Sequence, residues 1–332
     1  MQKDKLKIVR IINEGLQSAD LGMDMPVITV DDLNLATYWD ERGLINFSDV
    51  STMRRIFDKI SRNRIRDFGQ FHHFKGVKYA KQIIQEKSIQ ISDLFSNDAN
   101  DFAEYTEFYK RLGLFHLLIP TDYADQKKTG NGTVDWTSPT PSDLDRKRIF
   151  VLCFTQDNHN ERFWANYAKD DTGVALGFRF SNFNQDKSGL YDFRDVFYDK
   201  GYAFDFYNQI NYRLKKEFKR QMFITDVVMF SKFYKRGHYN WENETRLCFD
   251  YDEVPILNKG VLLSELFPMS TDESSGRNYI NLPLKGSETI NPLFDLEITE
   301  LVCGSKVSEQ DYQDLKSLLN VNFPDAKIWR RV

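Results

Sequence analysis

The chain has 332 residues, 41% hydrophobic and 14% aromatic, with a formal net charge of −4. That apolar content excludes a mainly disordered chain, and the length allows about two domains. A net negative charge argues against a constitutive nucleic-acid binder with one broad basic face, while leaving room for local basic patches.

The N-terminal stretch carries charges through its apolar positions and has no signal-peptide core, and no run approaches the roughly 18 apolar residues of a membrane span. Cys153, Cys248 and Cys303 are scattered, without a CxxC pair. Lone thiols fit a reducing compartment, so a cytoplasmic protein with no membrane partner is expected.

Residues 4–17 space their apolar side chains as an amphipathic helix ending near Gly15. Asp31 and Asp32 predict the cap of a second helix, stopped by Gly43, and Ser48 or Ser51 that of a third. Residues 1–67 are therefore expected to form an N-terminal helical subdomain. FGQFHHF, from Phe68, predicts a buried strand, followed by a helix through Ile84 and a short strand at 89–91. Residues 101–118 suit another helix, and the polar stretch 121–148 a surface insertion.

Strands are expected at 148–157, 172–180, 245–251 and 295–303, with a helix at 161–170. The weak alternation of 191–199 suggests a strand pairing with 172–180, and 211–233 reads as one long helix. Ser308 opens a last helix and KIWRRV a last strand. Helices and strands mix without a regular βαβ beat, so the fold class expected for 68–332 is α+β.

Dinucleotide-binding, phosphate-loop, zinc-protease and nucleophile-elbow motifs are all missing, and the five histidines show no zinc spacing, so no metal is expected. Three segments look like site material. In Phe71-His72-His73-Phe74, alternation puts His73 with Phe71 on one face and His72 with Phe74 on the other. Either histidine is equally well explained by a bond to a backbone carbonyl. The second segment is Phe154-Thr155, followed by Trp164 and Tyr167 one helical turn apart. Two such aromatics usually mean core; the alternative is a stacking wall for a flat ring. In the third, Glu242, Glu244 and Arg246 would point the same way on extended backbone. A solvated strand face explains them, and so does a catalytic carboxylate pair steadied by an arginine.

Together these segments resemble a bacterial family of unknown function. His73-Phe74, Phe154-Thr155, Trp164 to Tyr167 with Gly173 to Phe178, and the run from Lys235 and Tyr239 to Glu242, Glu244 and Arg246 carry the likeness. The stretches 87–98 and 300–308 also look like that family, and the resemblance spans about residues 70–330. The order His, aromatic-Thr, Glu-x-Glu is similar to the ADP-ribosyltransferase superfamily. That resemblance implies a split antiparallel β-sheet core with flanking helices, and NAD as substrate. Glu244 would be the catalytic carboxylate and Glu242 would position or deprotonate the acceptor. His73 would hold NAD, Thr155, Trp164 and Tyr167 would line the nicotinamide side, and Arg246 would complete the cofactor site.

The resemblance further implies a toxin or anti-phage effector with an inhibitory, antitoxin-like protein partner. Residues 54–66 and 213–220 are rich in Lys and Arg, so nucleic acid, RNA or DNA, is the preferred acceptor over protein. An ordinary solvated helix face explains the same charges. Two other functions fit the residues: an NAD glycohydrolase using the same cleft, and a non-catalytic nucleic-acid-binding regulator.

Overall fold

A computed structural model describes residues 2–18, 25–34, 44–47, 50–65, 69–94, 107–108, 149–187, 189–199, 205–222, 227–251 and 261–331. In chain order the elements are α1 (Gln2–Ser18), β1 (Leu33–Asn34), β2 (Leu44–Phe47), α2 (Val50–Ile60), β3 (Gln70–Gly76), α3 (Val77–Glu86), β4 (Ser88–Asp93) and β5 (Ile149–Thr155). Next come α4 (Glu161–Asn166), β6 (Gly173–Ser181), β7 (Tyr191–Asp195), β8 (Phe197–Asp199), α5 (Asp205–Phe218), β9 (Gln221–Met222), α6 (Val227–Lys232) and β10 (Tyr234–Arg236). The chain continues through β11 (Glu244–Asp250), α7 (Leu263–Leu266), β12 (Met269–Thr271), β13 (Asn278–Pro283), β14 (Asp295–Cys303), α8 (Glu309–Asn322) and β15 (Lys327–Arg330). The fold is mixed α+β with a large, mostly antiparallel sheet.

Strong periodicity was a good guide: α1, α2, α3, β3, β5, β6, β11, β14 and α8 lie where the sequence predicts them. Four expectations need correction. Gly15 does not end α1, which continues to Ser18; it is a packing position, because a Cβ there would overlap the Ile210 side chain. Residues 33–34 form a strand paired with β2 rather than the start of a helix, so the first 67 residues are not all helical. The segment 191–199 does not pair with β6, both of whose edges are taken, by β3 and β14; β7 joins β11 and β8 joins β10. Finally, 211–233 is not one helix. Lys219 adopts a left-handed φ of 54° and the Arg220 amide bonds back to the Leu214 carbonyl, a left-handed helix stop without glycine. The expected helix at 101–118, save Glu107 and Phe108, and the 121–148 insertion lie outside the described residues.

The chain divides into two units. One comprises Met1–Arg62, Ala99–Arg146 and Val196–Asn240. In it Ile8, Ile11, Ile12 and Leu16 of α1 are buried, as are Ile210 and Leu214 of α5, the helix that α1 packs against. Phe57, Phe108, Phe230 and Tyr234 form a second apolar group through ring contacts.

The other unit comprises Asn63–Asp98, Lys147–Asp195 and Trp241–Val332. It holds a ten-stranded sheet in the order β12-β13-β4-β5-β3-β6-β14-β15, with β11 on β5 and β7 on β11. One edge of β5 is paired along its whole length with β11. The other edge forks: β4 pairs at Val151 and Phe150, and β3 touches only at Thr155. Even-numbered residues of β5 and β6 (Phe150, Leu152, Phe154; Leu176, Phe178, Phe180) face the main core, which α3 and α8 cover with Ile83, Ile84, Leu315 and Leu319. The opposite face packs Phe74, Ala175 and Val302 against Phe163 and Trp164 of α4. The polar side chains of interest lie on this second face.

Candidate functional site

Strand register builds one row across the second face. Thr155 of β5 lies opposite Glu244 of β11 on one side and His72 of β3 on the other. His72 in turn lies opposite Gly177 of β6, and Gly177 opposite Glu300 of β14. Directly opposed residues project to the same face, and strands lie roughly 4.8 Å apart. Glu244, Thr155, His72, Gly177 and Glu300 therefore form a continuous line over five strands. His72, Thr155 and Glu244 are each at most 5% exposed.

Of the two adjacent histidines, it is His72 that joins the row, while His73 points to the other face. There its Nδ1 donates to the Cys153 carbonyl oxygen at 2.8 Å. That carbonyl sits where β5 loses β3 and has not yet met β4, so the imidazole fills the fork and replaces a missing ladder bond. Burial first, and then the nearby Lys75 charge, pushes His73 down to about 3 against the pull of the Cys153 bond, so the ring stays neutral. The expected role of His73 in holding NAD has no support in this placement.

Glu242 and Glu244 do not share an extended face. Glu242 ends a 3₁₀ helix, Gly237–Glu242, and Asn243 turns the chain with a φ of 41° before β11 begins. Glu242 accepts a 2.6 Å hydrogen bond from the Tyr167 hydroxyl. Glu244 accepts one of 2.7 Å from Arg246 Nε, two residues along the same strand face. All three charged residues are buried, which rules out a solvated strand face. Arg246 acts on Glu244, fixing the carboxylate in place through a charge-assisted hydrogen bond.

Trp164 and Tyr167 also part company. Helix α4 ends at Asn166, with Tyr167 as its C-cap. Trp164 is 1% exposed, packs edge-on to Phe74 and donates Nε1–H to the Asn158 carbonyl oxygen at 2.8 Å: a core residue that anchors a loop. Tyr167 is 45% exposed and joins Phe163 and Trp241 in an aromatic group. The Thr155 hydroxyl oxygen accepts from the Asp157 amide at 3.1 Å, so the same side chain both lies on the row and starts the turn leading to Asn158.

Sequence reasoning missed the far end of the row. His72 Nε2 lies 2.5 Å from Glu300 Oε1, and Asn158 Nδ2 donates to that oxygen at 3.3 Å. Trp329 Nε1 donates to Glu300 Oε2 at 3.4 Å. The His72 bond above all holds the Glu300 carboxyl below its ordinary value, against the opposing effect of burial. Glu300 lies in the stretch 300–308, but its distance from His72 in the chain hides their pairing. Just past β15, the Arg331 guanidinium binds Asp171 and Glu161 and lies 5.1 Å over the Trp164 ring.

Residues 163–247 match a protein family described as protein of unknown function (DUF2971). The DUF2971 region holds Trp164, Tyr167, Gly177, Glu242, Glu244 and Arg246, and leaves His72, Thr155 and Glu300 outside it. Its description names no activity, so it attaches no chemistry to these residues. No curated protein and no solved structure matches the chain. Among the described residues no cluster of three or more His, Cys, Asp or Glu side chains could hold a metal ion, and no helix is long and apolar enough to cross a membrane.

The two basic stretches are partly neutralised. Arg55 pairs with Asp32 at 2.9 Å, Arg64 grips Asp195 through Nε and Nη2, and Arg213 pairs with Glu14 at 2.8 Å. Lys215, Lys216 and Lys219 are exposed at the end of α5.

Proposed function

We propose that the chain is an NAD-dependent ADP-ribosyltransferase that breaks the nicotinamide glycosidic bond and transfers ADP-ribose to a macromolecule. The observation that carries this reading is the alignment of His72, Thr155 and Glu244 on one face of three adjacent strands. These residues come from segments about 80 to 90 positions apart in the chain, in the order His, Thr, Glu. His72 and Glu244 are separated by two strand spacings, roughly 10 Å, so they suit two parts of an extended ligand rather than one reacting atom.

The residue types suit this chemistry. When the C1′–N bond breaks, nicotinamide leaves neutral and positive charge develops on the ribose. The Glu244 carboxylate, fixed by Arg246, stabilises this charge in a water-poor environment. The acceptor nucleophile then bonds to C1′ and its proton passes to Glu242, which Tyr167 orients. Nucleic acid is the proposed acceptor, supported by the exposed lysines of α5. A toxin or defence role, with an inhibitory protein covering this face, belongs to the same proposal.

Incubation with adenylate-labelled NAD in cell extract tests it. The expected result is label in a macromolecular fraction, removed by ribonuclease or deoxyribonuclease. Label released by protease alone would move the acceptor to protein. Label found only as free ADP-ribose would make the chain a glycohydrolase. Intact NAD would contradict both enzymatic readings and favour a non-catalytic role.

A further inference from the structure

Three local features converge on one pair of side chains. The first is a β-bulge in β14. The ladder with β6 shifts between Ile298, opposite Phe178, and Glu300, opposite Gly177. Ile298 faces the main core. Without the extra residue, strict alternation would send residue 300 to that same core face. The bulge re-aims Glu300 to the face of His72, a use for which bulges are well suited.

The second feature is the gap between them. His72 and Glu300 sit on strands separated by β6, and the β6 residue between them is Gly177. A Cβ at Gly177 would stand 2.5 Å from Glu300 Cγ and 2.5 Å from Gln70 Nε2. The missing side chain is what lets the carboxylate reach across the strand to the imidazole.

The third is the state of the histidine. Carboxylate oxygens only accept, so Nε2 is the donor in the 2.5 Å bond to Glu300. Nδ1 is buried and has no hydrogen-bond partner among the described residues. Glu300 is in turn anchored by Asn158 and Trp329. A carboxylate that binds one ring nitrogen of a histidine fixes both its tautomer and its orientation.

We propose that Glu300 is a positioning residue for His72, holding it through Nε2–H so that Nδ1 presents a lone pair to a hydroxyl of the bound ligand. The assignment of the ligand hydroxyl to NAD rests on the transferase reading above; the Glu300–His72 dyad itself does not. The carboxylate immediately behind the ring makes this end of the row a poor phosphate site and a good hydroxyl site.

The test is made on the full chain labelled with ¹⁵N-histidine, where five histidines give few signals and His72→Gln assigns one of them. The expected spectrum of His72 shows Nε2 protonated and Nδ1 bare. Glu300→Ala should shift it toward a mixture of tautomers, and Glu300→Gln, which keeps an acceptor oxygen, should restore it. Gly177→Ala alters neither partner, yet should disturb His72 as Glu300→Ala does, and it serves if Glu300→Ala fails to fold. A His72 spectrum unchanged in both Glu300→Ala and Gly177→Ala overturns the proposal.

With NAD as the probe, Glu300→Ala should raise KM about tenfold, the effect of losing one well-placed hydrogen bond to the ligand, with kcat little changed. A fall in kcat at unchanged KM also overturns the proposed role. If the wild-type chain leaves NAD intact, the transferase reading fails by itself, and the nitrogen spectra still decide the role of Glu300.

Discussion

At the scale of single residues, two neighbours on one strand have been given opposite tasks. His73 faces inward, neutral, and repairs the ladder at the fork through Cys153; His72 faces the row and is tied to Glu300. The difference predicts a pH effect. His73 titrates at about 3 when folded against 6.5 ordinarily, so between these values the unfolded chain binds more protons than the folded one. Stability therefore rises with pH across that window, by up to about 1.4 kcal/mol per pH unit from this group, and the contribution is complete above the ordinary value. His73→Gln keeps a donor for the Cys153 carbonyl and should flatten that slope in urea unfolding measured from pH 4 to 7. An unchanged slope would mean that His73 is not held neutral by the fold. Glu300 contributes in the same direction at lower pH: its folded value lies below the ordinary one, so its share is present above the carboxylate range and is lost on acidification.

At the scale of elements, periodicity made the strands and the longer helices legible because each buries a single face. What stayed hidden depends on partners distant in the chain. Gly15 reads as a helix stop, but inside α1 its bare Cα admits Ile210 of α5. Gly15→Ala should gain helix propensity, up to about 1 kcal/mol, yet lose more, about 1–3 kcal/mol, by overpacking a fully buried Ile210. Chemical denaturation should show net destabilisation, relieved by adding Ile210→Val; a net gain would mean that the two helices do not interlock there. The break at Lys219 was hidden because its left-handed turn uses no Gly or Pro. In the candidate site, Thr155, Glu244 and the His72-His73 doublet were visible as residue types. The choice between the histidines needed the pairing of Thr155 with His72. Glu300 needed a bulge and a glycine on the neighbouring strand, neither of which has a local signature. The parting of Glu242 from Glu244 turned on the left-handed Asn243.

At the scale of the whole molecule, Met1–Arg62 groups with Val196–Asn240 rather than standing alone. Helix α1 supplies four buried apolar residues to a unit whose other described helices include α5. Removing residues 1–62 should therefore leave Ile210 and Leu214 uncovered. The truncated chain should be insoluble, or bind a hydrophobic dye strongly, rather than persist as an independent domain. A soluble, cooperatively folding truncation would contradict this grouping.

Release of nicotinamide from NAD by the purified protein, with and without a macromolecular acceptor, measures what Glu244 does. The wild-type chain should release nicotinamide, and Glu244→Gln, which keeps an acceptor for Arg246, should lower the rate by about 10²–10³-fold. The variant should still unfold cooperatively, at a lower midpoint because the buried Arg246 loses its counter-charge. Release by the variant at the wild-type rate would remove Glu244 from the chemistry, and no release by the wild-type chain would remove NAD cleavage altogether.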